Sequence, residues 1–212
     1  MMRIALIHAL AQSVAPINKA FARLWPDPTL MNLLDDSLSA DLAKGSLDSH
    51  MHDRFMTLGA YAVDCGANAI LFTCSAFGPC IDAVARRYSD IPVLRPNEAM
   101  IALASKSGKR IGLTATFAPT LASMPAEFPD TVVVDVELAQ GALDALNAGD
   151  TALHDELASA AARRLYARGC EIIAVAQFSM ARAAPTIARD VPIPVLTTVD
   201  SSIELLRARL AA

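Results

Sequence analysis

The chain has 212 residues, of which 54% are hydrophobic and 19% charged, and its formal net charge is −4. It contains no basic run and no apolar stretch near the roughly 18 residues a spanning helix needs, which excludes a nucleic-acid footprint and a transmembrane helix. Its 4 cysteines form neither a CxxC pair nor a zinc-like Cys/His spacing, so a disulfide framework and a structural metal are not indicated and a reducing cytoplasm fits.

The predicted elements alternate. Strand-like runs fall at 3–8, 29–34, 69–73, 91–94, 110–115, 131–135, 171–176 and 194–196. Arg3 ahead of the first run resembles a leader, but His8 and Gln12 interrupt it, so it is read as the first core strand. Ile17 to Leu24 has helical spacing and stops at Trp25-Pro26. Asp48 is placed to cap a helix with Phe55, Leu58 and Ala62 facing inward, ending near Gly66. Another helix begins near Pro79, and Thr151 to Arg168 is a long one with Gly169 at its C′ position. The last runs from Asp200 to Leu210 and is expected to pack on the first lobe. This rhythm predicts an α/β protein with mostly parallel sheets flanked by helices.

Two halves echo each other. Gly66 to Ser75 and Gly169 to Phe178 both run from a glycine through a buried-strand pattern to a small polar cluster, so Cys74 corresponds to Gln177. Arg3 to Ala9 resembles Arg110 to Thr116, and Asp90 to Leu94 resembles Ile193 to Leu196, in the same order. The expected organisation is therefore two pseudo-symmetric lobes, 1–96 with 198–212 and 97–197. Ligands of open α/β sheets bind beyond the carboxyl ends of the strands, which directs attention to His8–Ser13, Cys74–Phe77, Thr114–Thr120 and Gln177–Arg182.

Cys74 ends a strand and precedes a helix start. Backbone N–H groups there lower a thiol pKa and hold a carboxylate, so Cys74 is the first candidate for catalysis, against the alternative of a small buried hydrophobe. Ser75 and the N–H groups of Ser75 and Ala76 are candidate donors to a developing enediolate.

Across nearly its whole length the chain resembles the aspartate/glutamate racemase superfamily, which includes hydantoin racemases, maleate isomerases and arylmalonate decarboxylase. The resemblance rests on the first strand, Gly66 to Ser75, Ile91 to Met100, Arg110 to Thr120 and Gly169 to Met180. It implies a cofactor-free site at the lobe interface with one cysteine from each lobe, one removing and one returning a proton beside a carboxylate. Cys74 matches the first of those cysteines. The second falls on Gln177, an amide that cannot exchange protons usefully near neutral pH, so the symmetric two-thiol mechanism does not transfer.

Cys170 does not replace it, because it begins its strand, roughly 20 Å from the active end. Cys80 is expected in helix packing. His8 is the candidate second group, able to exchange a proton or to pair with the Cys74 thiolate; the alternative is a hydrogen-bonded core histidine. Gly112 to Thr120 resembles the family's carboxylate-binding segment, which points to Thr116 and Thr120. Gln177, Phe178 and Ser179 are further binding candidates, with Gln12 in the first loop, and Arg182 is placed to meet a second substrate carboxylate. His50 and His52 do not share a helix face and make a poor metal clamp.

The resulting expectation is a cofactor-independent isomerase or racemase-type enzyme acting on a small carboxylate or dicarboxylate through the single cysteine Cys74. The alternatives are a carbon–carbon lyase of the malonate-decarboxylase type and a non-catalytic carboxylate-binding relative. No nucleic-acid or membrane partner is expected, and the apolar excess leaves surface for a homodimer.

Overall fold

The computed structural model describes residues 2–211. The chain divides into two compact units, one running to Glu98 and resuming at Ser202, the other Ala99–Ser201. Each holds a four-stranded parallel sheet flanked by helices.

The first unit contains β1 (Arg3–His8), α1 (Val14–Leu24), β2 (Thr29–Leu34), α2 (Ser37–Leu42), α3 (Ser49–Asp64), β3 (Ala69–Phe72), α4 (Gly78–Arg87) and β4 (Val93–Leu94), with strand order β2-β1-β3-β4. α5 (Glu98–Lys106) leads into β5 (Ile111–Ala115), α6 (Ala118–Ser123), β6 (Val134–Leu138), α7 (Ala142–Asn147), α8 (Thr151–Ala167), β7 (Ile172–Val175), α9 (Ala184–Asp190) and β8 (Val195–Thr197), with order β6-β5-β7-β8. The chain then forms α10 (Thr198–Ala211). From Ser202 onward this helix belongs to the first unit, where Ser202 Oγ donates to the Pro96 carbonyl at 3.2 Å and Arg209 pairs with Glu98 at 2.8 Å.

Central strands of a parallel sheet have both faces covered, which is why β3, β5 and β7 are apolar at nearly every position and buried throughout. Side chains still alternate between faces. In the first unit Ala5, Ile7, Ala9, Ile70 and Phe72 share one core with Phe55 and Phe77, and the Phe55 ring lies 5.4 Å from Phe72 and 4.9 Å from Phe77. Leu6, His8, Leu71 and Thr73 consequently belong to the opposite face. In the second unit Ile173 and Val175 face one core while Ile172, Ala174 and Ala176 face another.

The duplication extends to individual bonds. Ile7 pairs with Phe72 and Thr114 with Val175 at the ends of equivalent ladders. Thr73 N–H donates to the Ile7 carbonyl at 3.0 Å, as Ala176 N–H does to Thr114 at 3.0 Å. Both long helices end the same way, at Gly66 (φ +78°) and Gly169 (φ +86°), each in the left-handed region that favours glycine.

The second strand of the second sheet in chain order, β6, lies further along than the sequence pattern suggests. The Thr131 to Val134 run is β-branched and predicts strand at 131–135, but pairing with β5 runs from Val134 to Leu138. Asp135 and Glu137 are compatible with that edge strand because Arg110, Arg164 and Arg168 neutralise them. The short helices α2, α5, α7 and α9 carry little periodicity and escape sequence reading.

Candidate functional site

Where β3 ends in the first unit, the chain leaves the sheet at Thr73, and Cys74 caps a 3-10 turn, Ser75–Phe77, that runs into α4. Cys74 is a half-buried free thiol. Its side chain falls on the face of Ile7, Ala9 and Phe72 and packs against their core. It borders a recess walled by Leu38, Phe55, Phe72 and Phe77, with His8 at its edge, whose volume of about 10 Å³ for the centre of a water-sized sphere is roughly room for one water.

The N–H of Ala76 supports the thiolate, as expected of a helix start, but burial against these apolar walls outweighs it and pushes the Cys74 thiol up. The structure thus corrects the expectation of a lowered pKa. One backbone donor faces a hydrocarbon surround, and among the described residues no lysine or arginine lines the recess to assist it. Ser75 is half-buried and Ala76 exposed beside the thiol, and Gln12 is exposed in the 3-10 turn that follows β1.

His8 is fully buried. Its Nδ1 lies 3.0 Å from Thr73 Oγ1 and its Nε2 3.0 Å from Asn32 Oδ1, so both ring nitrogens are engaged on the face opposite to that of Cys74. Burial holds its pKa below 6.5, with Asn32 acting the other way, and the ring is neutral at pH 7. Asn32 and Thr73 were not legible as site residues, since an asparagine in an edge strand and a threonine before a cysteine carry no motif of their own.

The loop beyond β2 is pinned by charge. Arg54 reaches Asp35 and Asp41 at 2.6 Å each, and Ser39 Oγ donates to the Ala9 carbonyl at 3.1 Å, fixing α2 and hence Leu38 of the recess wall. Burial alone would raise the Asp35 carboxyl, but hydrogen bonds from Ser37 and then the bond and charge of Arg54 hold it below its usual range.

In the second unit the equivalent strand ends carry different chemistry. Gln177 Oε1 accepts from the Thr116 N–H at 2.6 Å and from Thr116 Oγ1 at 2.9 Å. A backbone N–H can only donate, so the atom it meets is the amide oxygen, and the amide NH₂ supplies the remaining donors of a half-exposed side chain. Thr116 is buried, Thr120 half-buried on α6, and Phe178 and Ser179 are buried at the start of the turn leading to α9.

Arg182 departs from expectation. Its guanidinium grips Asp155 through two bonds of 2.9 and 3.2 Å, so its carboxylate partner is internal. Cys80 is buried in the first core, and Cys170 lies at the opposite end of β7 from Gln177, with its sulfur 3.6 Å from Asp135 Oδ2. Among the described residues no group of three or more His, Cys, Asp or Glu side chains is arranged to hold a metal ion, and no helix is long and apolar enough to cross a membrane.

The sequence model for Asp/Glu/Hydantoin racemase matches residues 17–206. The chain belongs to that family. Cys74, Thr116 and Gln177 lie inside the matched segment, whereas His8 and Gln12 precede it. No curated protein sequence matches the chain. Among solved structures, an aspartate racemase homologue from Pyrococcus horikoshii is similar at a TM-score of 0.76 with 15% identity, covering 100% of both chains. Allantoin racemase from Klebsiella pneumoniae gives 0.72 and 15%, covering 100% of this chain and 88% of its own. A glycine-to-cysteine mutant of arylmalonate decarboxylase in a sulfate-associated form gives 0.66 and 18%, covering 99% and 94%. At these identities the likeness establishes the racemase fold, which this chain shares with racemases and a decarboxylase alike.

Proposed function

We propose that this racemase-family protein is a cofactor-independent isomerase or racemase-type enzyme that acts on a small carboxylate through one proton-transferring residue, Cys74. The observation that carries the reading is a half-exposed thiol at the carboxyl end of a central parallel strand, with the Ala76 N–H supporting its sulfur. Breaking a bond at the carbon beside a carboxylate sends an electron pair into an enediolate, so donors must meet the oxygens where that charge grows. Ser75 and the N–H groups of Ser75 and Ala76 serve this role in the first unit. Thr116, Thr120, Ser179, the amide NH₂ of Gln177 and the main chain of Phe178 are the proposed carboxylate donors of the second, with Gln12 a further contact from the first loop.

His8 is proposed to act through Thr73 rather than on substrate, because both of its ring nitrogens are occupied within its own sheet face. Cys74 is then the sole proton-transferring side chain of the scheme.

The raised thiol pKa favours a second reading, a carbon–carbon lyase. A racemase must begin from a thiolate, but loss of carbon dioxide from a malonate needs no base. The carbon–carbon bond breaks, its electrons form the enediolate, and a neutral Cys74 thiol protonates the carbon before water restores the thiol. A thiol kept protonated at pH 7 suits that step.

Proton NMR in D₂O separates these readings with a panel of amino acids, hydroxy acids and substituted malonates. Cys74-dependent α-deuteration, tested against Cys74→Ala, is the expected result. Racemised product supports the isomerase, and a deuterated decarboxylation product supports the lyase. Equal binding by both proteins without exchange would overturn proton transfer and leave a carboxylate-binding protein.

A further inference from the structure

Asn32, His8 and Thr73 sit on three adjacent strands or their ends, β2, β1 and β3, and form a polar row in a sheet that is otherwise apolar there. Leu6 is the register partner of Asn32, so Asn32 reaches His8 diagonally along the shared face. A neutral imidazole has one donor and one acceptor nitrogen. Asn32 Oδ1 at Nε2 requires the proton there, which leaves Nδ1 to accept. The Thr73 hydroxyl has two acceptors in reach, His8 Nδ1 at 3.0 Å and the Ile7 carbonyl at 3.4 Å, and the shorter contact is the one a bare Nδ1 provides.

We infer that Asn32 is a positioning residue: from the edge strand it fixes His8 as the Nε2–H tautomer, so that Nδ1 anchors the hydroxyl of Thr73, the residue that carries Cys74 out of the sheet. Thr73 is thereby held at two points, its N–H on the Ile7 carbonyl and its hydroxyl on the ring. The second unit supports this assignment by contrast. It has Ala115 and Ala176 at the positions of His8 and Thr73, and there the strand end is tied down by Gln177 itself, through Thr116. Anchoring by the residue before Cys74 releases position 74 from a structural hydrogen bond and leaves it available for chemistry.

The inference rests on the Cys74 proposal only for its turnover readout. The full-length protein labelled with ¹⁵N-histidine gives the His8 tautomer directly, and alkylation of Cys74 by iodoacetamide needs no substrate. Wild type is expected to show Nε2–H. Asn32→Leu, at an exposed edge position, should move His8 toward a tautomer mixture and change the Cys74 alkylation rate. Where a substrate turns over, its kcat should fall about tenfold with KM little changed, the rate equivalent of one neutral hydrogen bond. Asn32→Asp keeps the acceptor and should retain the Nε2–H form. A wild-type Nδ1–H tautomer, or a tautomer indifferent to Asn32→Leu, overturns the inference. Altered tautomer with unaltered alkylation and turnover overturns the positioning role while leaving Cys74 chemistry standing. Failure of every panel substrate bears on the proposed function alone, because the tautomer and alkylation still decide this one.

Discussion

The two units share a scaffold and differ at two strand ends. Their sheets have the same strand order, their central strands pair in the same register, and their long helices stop at equivalent glycines. In the second unit the side chain at the strand end is a structural tie, with Gln177 accepting two bonds from Thr116. The equivalent pair in the first unit is Cys74 and Ala9, which cannot form such a tie. There the anchoring is done one residue earlier and on the other sheet face, by Thr73, His8 and Asn32. A duplicated fold can thus keep its architecture while one copy commits a position to a structural bond and the other anchors the strand end elsewhere.

The largest effect should come from removing the proposed catalytic member. Cys74→Ala is expected to lower any α-proton exchange or decarboxylation by roughly 10²–10⁴-fold, the usual contribution of a positioned acid or base. Melting temperature should change little, because the side chain is half-buried and its Ala76 N–H contact lies within its own turn. Removing the structural member should do the reverse to stability. Gln177→Leu leaves a buried Thr116 N–H and hydroxyl without their acceptor, which costs about 1–3 kcal/mol in denaturant unfolding. If Cys74→Ala proved as destabilising as Gln177→Leu, the division between reactive and structural ends would fail.

Acid should sharpen the same contrast. Burial holds the His8 pKa below 6.5 in the folded chain, so between 6.5 and that lower value the unfolded chain binds a proton that the folded chain refuses. Stability from His8 is therefore fully present above pH 6.5 and lost as pH falls through the folded pKa, with a slope of at most about 1.4 kcal/mol per pH unit. Unfolding free energies of wild type and His8→Gln, measured from pH 7 to 5, should converge as pH falls. Parallel curves would mean that the folded and unfolded chains bind a proton at His8 equally, and that burial does not lower its pKa.

Much of this architecture was legible because it rests on repetition and apolar runs. The first two strands appear at their predicted residues, and Asp48 caps α3 as its position suggests. β6 was displaced because local β-branched content and tertiary register disagreed, and register prevailed through the ion pairs of Asp135 and Glu137. Cys74 could be singled out from its place after a strand. The direction of its pKa shift could not, since that depends on Phe55 and Leu38 arriving from distant segments. The partners of His8 were likewise hidden, because period-two alternation shows which face a residue takes but not whether a polar neighbour waits there.

The smallest predicted effect tests the shared half of the comparison. Asp48 and Asp150 are the N-caps of the equivalent helices α3 and α8, accepting from Met51 N–H at 2.9 Å and Leu153 N–H at 3.0 Å. Each satisfies one of the donors that a helix start leaves unpaired, so Asp48→Ala and Asp150→Ala should each cost about 1 kcal/mol. Near-equal losses by denaturant titration, with Cys74 alkylation unchanged in both, are expected if the caps serve the scaffold alone. A loss of alkylation in Asp48→Ala only would mean that the first cap also governs the thiol, through α3 and the Phe55 side chain that walls its recess. The duplication would then be functional at the helix as well as at the strand end, and the boundary between scaffold and chemistry would have to be drawn one layer deeper.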